Sequence, residues 1–206
     1  MEKFVVSARK YRPVTFDTVV GQPHITQTLK NAIVNNHLAQ AFLFTGPRGV
    51  GKTTTARILA KTINCTNQTK EVEACDQCES CIAFNTGHSL NIYELDAASN
   101  NSVDDIRALV EQVRYAPQMG KYKVYIIDEV HMLSRHSFNA LLKTLEEPPE
   151  YVKFLLATTD PQKLPVTILS RCLQFHLKPI SVDDIHQQLD YILGQEQVSA
   201  EPKALG

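Results

Sequence analysis

The run Gly46-Pro47-Arg48-Gly49-Val50-Gly51-Lys52-Thr53 constrains this chain more than any other. It fits the pattern G-x-x-x-x-G-K-[ST], a loop whose backbone N–H groups cradle phosphates. Apolar residues 41–45 before it read as a buried strand, and 54–63 after it as a helix. Strand, glycine loop and helix N-terminus together make an anion site, because unpaired N–H groups converge there and the helix dipole favours negative charge. Glycines let the backbone approach phosphate closely. Gly46, Pro47, Arg48, Gly49, Val50, Gly51, Lys52, Thr53 and Thr54 are therefore the expected phosphate-holding residues. Lys52 would reach the β- and γ-phosphates, and the Thr53 hydroxyl would ligate Mg²⁺. A glycine-rich turn can match such a pattern by chance, but here the flanking strand and helix are both in place.

The rest of the composition sets bounds. With 206 residues the chain holds one sizeable domain plus a small module or fragment. It is 43% hydrophobic and 21% charged, ordinary values for a soluble globular protein. A net charge of −1 excludes a free-standing polyanion binder, so nucleic-acid contact would need a local basic face or assembly with other chains. No apolar run reaches the ~18 residues of a membrane span, and residues 1–4 lack the apolar core of a signal peptide. A cytoplasmic protein is expected, where disulfides are rare, so the five cysteines need another explanation.

Five apolar runs read as strands: 41–45, 91–95, 123–127, 153–157 and 173–176. Between them lie helical stripes: Ile25, Leu29, Ala32 and Ile33; Ile106, Leu109, Val110 and Val113; and Phe138, Leu141, Leu142 and Leu145 before Pro148-Pro149. A last stripe, Ile185, Leu189, Ile192 and Leu193, is one that Gly194 could end. Alternating strands and helices predict a mostly parallel five-stranded α/β sheet with helices on both faces. The tail 199–206 reads as the start of a further helix, and the chain as a piece of a longer protein.

Residues 64–88 break the pattern and read as an inserted module. Cys65 is followed by Cys75-Asp76-Gln77-Cys78-Glu79-Ser80-Cys81, and cysteines three apart in a tight knuckle can share one tetrahedral ion. A closed four-cysteine site suits structural zinc. An iron–sulfur cluster also uses C-x-x-C-x-x-C and stays open as a reading. Four ordinary buried thiols within so polar a stretch is the weakest reading. Cys172 stands apart as a small buried side chain, and His88 as a structural or exposed residue.

Asp128-Glu129 follows the apolar run Val124-Tyr125-Ile126-Ile127. Ligands of open α/β sheets bind at the carboxyl ends of strands. Asp128 would help hold Mg²⁺, and Glu129 would activate the attacking water. Such a pair can also be a solvated turn. Thr158-Thr159 at the next strand's end could bond the γ-phosphate or that water, or simply make turn contacts. Arg171 reads either as a salt-bridged surface residue or as a finger acting on a neighbouring subunit's ATP.

These pieces in this order resemble the AAA+ ATPases and, more narrowly, the gamma/tau motor subunits of bacterial clamp loaders, a family belonging to DNA polymerase III. The resemblance rests on Arg9-Lys10-Tyr11-Arg12-Pro13 with Val19-Val20-Gly21-Gln22, the phosphate loop, the four cysteines, the run from Ile127 to Leu133, the run from Leu142 to Pro149, Ala157-Thr158-Thr159-Asp160 and Ser170-Arg171-Cys172. It implies an AAA+ domain over 1–178, with the zinc module 64–88 inserted, and the start of a helical lid over 179–206. It implies ATP, Mg²⁺ and Zn²⁺ as cofactors. The implied partners are the other subunits of a hetero-pentameric spiral, a sliding clamp and primer–template DNA. ATP binding would let that assembly open the clamp, and hydrolysis would release it onto DNA.

Arg171 would act in trans, Thr159 rather than Thr158 would be the first sensor, and Tyr11, Arg12, Pro13, Val19 and Val20 would contact the adenine side. The family's second sensor lies in the lid beyond residue 206, so weak nucleotide binding and little isolated ATPase activity are expected of this chain. Three other readings compete. The run Asp128-Glu129-Val130-His131 also fits a DExH helicase, which would need a second motor domain. A non-hydrolysing stator-like subunit would have a broken phosphate loop. The third is a zinc-bearing AAA+ switch unrelated to replication.

Overall fold

The computed structural model describes residues 7–99, 103–118 and 120–198. The elements follow in the order α1 (Ser7–Lys10), α2 (Pro23–Val34), β1 (Ala41–Thr45), α3 (Lys52–Asn64), α4 (Glu79–Asn85), β2 (Ile92–Asp96), α5 (Val103–Gln112), β3 (Lys123–Asp128), α6 (Arg135–Glu146), β4 (Val152–Thr158), α7 (Val166–Leu169), β5 (Leu173–His176) and α8 (Val182–Glu196). The five strands form one sheet in the order β2-β3-β4-β1-β5, and every neighbouring pair is parallel. Parallel neighbours need crossovers long enough to return the chain, and helices supply them.

Strand composition follows position. β1 and β4 are buried at every residue and β3 at all but its last, whereas the edge strand β2 alternates and β5 buries only Phe175. Successive side chains point to opposite faces, so the sheet separates two cores. Phe42, Phe44, Val124, Ile126 and Leu155 pack with Leu29 of α2 and Ile58 and Leu59 of α3. Leu43, Tyr125, Ile127, Phe154 and Leu156 pack with Ile106 of α5 and Leu141 of α6. Each large apolar side chain so buried contributes about 1.5–3 kcal/mol. Tyr93, Tyr125 and Phe154 occupy matched register positions and stack across three strands, with centroids 5.2 and 5.5 Å apart.

Helix starts show local chemistry. Ser134 and Ser181 cap α6 and α8 by accepting the N–H of Ser137 and Asp184 at 3.1 Å. The cap of α3 is Gly51, at φ +98°, with no side chain to occupy the first-turn amides. That start follows β1 and lies at the carboxyl ends of the strands.

The strands begin and end within two residues of the expected runs. One expectation is corrected: α8 does not stop at Gly194 but runs to Glu196, and Gln197 at φ +55° turns the chain. A glycine facing open space inside a helix costs only about 1 kcal/mol, and a Cβ added at Gly194 would meet nothing within 4 Å. The helix expected over 201–205 lies outside the described residues. Among the described residues no helix is long and apolar enough to cross a membrane.

Candidate functional site

The loop after β1 wraps a cavity of about 430 Å³ lined by Arg12, Arg48, Gly49, Lys52, Thr53 and Asp128 among others. Gly46 holds φ +141°, and a Cβ there would lie 2.5 Å from the Leu177 carbonyl oxygen, so glycine is required. Lys52 is buried and folds back on the loop, donating to the carbonyls of Gly46 at 3.0 Å and Pro47 at 2.6 Å. Burial pushes its ammonium below the ordinary lysine value, opposed by the nearby Glu129 and Asp128 carboxylates. The cation is thus held on neutral carbonyl acceptors at the edge of the cavity.

Two oxygens converge opposite. The Thr53 hydroxyl, at the start of α3, donates to Asp128 Oδ2 at 2.5 Å. Seventy-five residues separate them, and β4 stands between their strands in the sheet. A hydroxyl and a carboxylate oxygen at the rim of this cavity are hard donors of the kind Mg²⁺ takes.

Glu129 follows at φ +45°, a left-handed conformation unusual for a residue with a side chain. This turns its carboxylate toward the end of β4. Thr159 donates its hydroxyl to Glu129 Oε2 at 3.0 Å, and His131 Nδ1 lies 3.4 Å from the same oxygen. Thr158 is fully buried and is engaged by His131 Nδ1 at 2.9 Å and by the N–H of Asp160 at 3.1 Å. Thr159, not Thr158, therefore reaches the carboxylate.

Tyr11, Arg12, Pro13, Val19 and Val20 lie together along a second cavity of about 660 Å³, closed on its far side by Asp184, Gln187, Gln188 and Tyr191 of α8. Arg12 lines both cavities, and its Nε donates to the Thr54 hydroxyl at 3.1 Å. Burial and the neighbouring Arg57 lower its guanidinium's pKa. Arg171 is not brought to this place. It lies between α7 and β5, donating to the Thr167 carbonyl at 2.8 Å and pairing with Glu146 at 3.1 Å.

The site also holds residues that sequence reasoning missed. Asp96 and Ala98 line the cavity beside the glycine loop, and the rule that ligands sit at strand carboxyl ends could have flagged the end of β2. Gln22 is fully buried and clips the segment after β5, donating to the Lys178 carbonyl at 2.7 Å and accepting its N–H at 3.1 Å. No local signal marks that pairing.

In the 64–88 module the ligand atoms of Cys65, Cys75, Cys78 and Cys81 all lie within 4.8 Å of one another. The Cys65 and Cys78 sulfurs are 3.9 Å apart. A tetrahedron with bonds of about 2.3 Å has edges of about 3.8 Å, so the four sulfurs fit one ion. The N–H of Cys75 points at Cys65 Sγ and that of Cys78 at Cys75 Sγ, both at 3.3 Å. Burial pushes the Cys65 and Cys81 thiols up, whereas Cys78 drops to about 6 because, against its own burial, Thr66 and Cys81 donate to it. A cation can take the place of the thiol protons in such a cluster. Cys172, packed against the second core, is pushed up to about 11 by burial, and His88 is exposed.

A family model described as DNA polymerase III, delta subunit, matches residues 21–181. The chain is 58% identical over 202 residues to a Haemophilus influenzae protein named DNA polymerase III subunit tau/gamma, covering 98% of this chain and 29% of that one. It is 57% identical over 202 residues to the Escherichia coli DNA polymerase III subunit tau, covering 98% and 31%. The chain thus spans less than a third of the length of these relatives. Among solved structures, the Thermotoga maritima RuvB Holliday junction branch migration motor matches with a TM-score of 0.65 at 22% identity, over 95% of this chain and 58% of that one. A DNA polymerase III gamma subunit-related protein from the same organism matches with a TM-score of 0.53 at 21% identity, over 82% and 53%. These likenesses establish the AAA+ P-loop fold. The family model spans more than half of the chain, which therefore belongs to the DNA polymerase III subunit family that the model describes, and over 98% of its length the chain is similar to subunits named tau/gamma and tau.

Proposed function

We propose that this chain is the ATP-driven motor module of a bacterial clamp-loader subunit, which opens a sliding clamp and places it on primer–template DNA. Residues 1–178 would be the ATPase domain, 64–88 its inserted module, and 179–206 the start of a helical lid. The reading puts the protein in the cytoplasm, in a hetero-pentamer with other loader subunits. A stator-like subunit is disfavoured by the intact Gly51-Lys52-Thr53 run.

The observation that carries the reading is Thr53 hydroxyl against Asp128 carboxylate at 2.5 Å, with Lys52 beside them. Bound Mg·ATP would supply the transferable phosphoryl group and the charge-screening metal. Lys52 would exchange the Gly46 and Pro47 carbonyls for phosphate oxygens, and Thr53 and Asp128 would hold the metal. Glu129 would take the proton of the attacking water, its carboxylate aimed by Thr159 and His131. The 11–20 segment would hold the adenine in the second cavity. Arg171 would serve a neighbour's site, exchanging Glu146 for phosphate. The four cysteines would hold one structural zinc.

Three measurements test this on the full-length protein. Titration calorimetry should detect Mg·ATP uptake that Lys52→Ala abolishes; no uptake by the unaltered protein removes the motor reading. Glu129→Gln should keep that affinity and lose about 10²-fold or more in hydrolysis; unchanged turnover removes Glu129 from its role. With partners present, clamp loading should depend on both Lys52 and Arg171.

A further inference from the structure

Glu73 lies in the loop between Cys65 and Cys75, yet its carboxylate serves the N-terminal segment. It is 7% exposed. The N–H of Phe16 donates to its Oε2 at 2.9 Å and that of Asp17 to its Oε1 at 3.1 Å. Lys30 of α2 adds an ion pair at 2.9 Å. Phe16 and Val19 are themselves buried in the core between α2 and α3. The segment lining the second cavity is therefore gripped from behind by the cysteine module.

The module is in turn tied to the phosphate-loop helix. Cys65 is the C-cap of α3. Asp76, between two thiols, pairs with buried Lys61 of α3 and accepts from Asn85 at 2.9 Å. Gln68 donates to the Thr62 carbonyl at 2.7 Å, and Arg57 lies 4.9 Å over the Phe84 ring. Val72 at φ +62° and Asp76 at φ +58° flank Glu73, and such backbone persists only where its surroundings over-determine it. The ligand atoms of Cys65, Cys75, Cys78 and Cys81 lie within 4.8 Å of one another, so an ion bound by all four would fix both ends of this loop.

We infer that Glu73 is the positioning residue through which the metal-closed cysteine module holds the base side of the nucleotide site. The inference rests on the nucleotide reading proposed above. Opening the cluster frees Glu73, leaves the Phe16 and Asp17 amides without their acceptor, and loosens the segment that carries Tyr11, Pro13, Val19 and Val20.

The test uses the full-length protein with Glu73→Ala, with Glu73→Gln, and unaltered after chelation. In Glu73→Ala and in chelated protein, amide exchange at Phe16 and Asp17 rises at least about tenfold, while β1, β3 and β4 stay protected. Mg·ATP binds about tenfold more weakly, the effect of losing charge-assisted bonds, and Mg·tripolyphosphate no more than about twofold. Glu73→Gln, which keeps one acceptor oxygen, falls between. Added Zn²⁺ restores the chelated protein but not Glu73→Ala. Unchanged Phe16 and Asp17 exchange, or equal losses for ATP and tripolyphosphate, overturns the inference. If chelation also exposes the strands, metal-loaded Glu73→Ala decides, a selective loss upholding the role and its absence overturning it. Failure of the unaltered protein to take up Mg·ATP would sink the nucleotide reading instead, and the exchange measurement would still report whether Glu73 holds the segment.

Discussion

Gly46 and Gly49 both sit at positive φ, +141° and +83°, but their surroundings differ. An alanine Cβ at 46 would lie 2.5 Å from the Leu177 carbonyl oxygen, where ordinary contact begins near 3.4 Å. That carbonyl belongs to backbone anchored by the Leu177 N–H on the Thr45 carbonyl at 2.8 Å, so it has little room to retreat. At 49 the same Cβ meets nothing within 4 Å. Gly49→Ala therefore carries only the torsional cost, about 1–2 kcal/mol. Gly46→Ala adds overpacking, for a total of about 3–4 kcal/mol. With a urea slope of about 2 kcal/mol/M, the midpoint should fall by about 1.5–2 M for Gly46→Ala and about 0.5–1 M for Gly49→Ala. Circular dichroism of the 206-residue chain without nucleotide measures both. Equal shifts would refute the steric argument, and no shift at either position would refute the loop geometry. Since the Gly46 carbonyl accepts from Lys52, displacement at 46 also reaches the lysine.

Other expectations follow from buried polar groups and the cysteines. The Tyr125 hydroxyl is buried without a partner among the described residues, so Tyr125→Phe should leave stability unchanged or raise it by up to about 1 kcal/mol; a loss above that in a urea melt would reveal a missed hydrogen bond. Lys123 is buried and donates to the carbonyls of Gln112, the last residue of α5, at 2.7 Å and of Tyr115 just past it at 3.1 Å, so Lys123→Met should cost about 1–3 kcal/mol, and an unchanged melt would refute this. Metal analysis should return one zinc per colourless chain and none in Cys75→Ser; iron with visible absorbance would overturn the zinc assignment.

Much of the fold was legible because it is periodic. Unbroken apolar runs such as Val124–Ile127 become strands buried on both faces, and the stripe Phe138, Leu141 and Leu145 becomes the buried side of α6. One helix end read from the sequence is corrected: α8 runs past Gly194, since a glycine inside a helix costs only about 1 kcal/mol, whereas the Val113 side chain joins the core as its stripe predicts, just past the end of α5. The stripe on α8 predicts burial, yet no residue of that helix is fully buried, and Ile185 and Leu189 remain exposed.

What amino-acid order settled on its own is whatever depends on neighbours along the chain: a glycine loop between strand and helix, a cysteine knuckle, two carboxylates after an apolar run. Backbone torsions and side-chain facing respond to residues a few positions away, so such features survive any arrangement of the rest. Strand order, the meeting of Thr53 with Asp128, Arg12 lining the cavity at the glycine loop and Glu73 reaching Phe16 are of another kind. Each joins residues dozens of positions apart, and each exists because burying both faces of one twisted sheet leaves few ways to return the chain. Only the folded packing could choose among them.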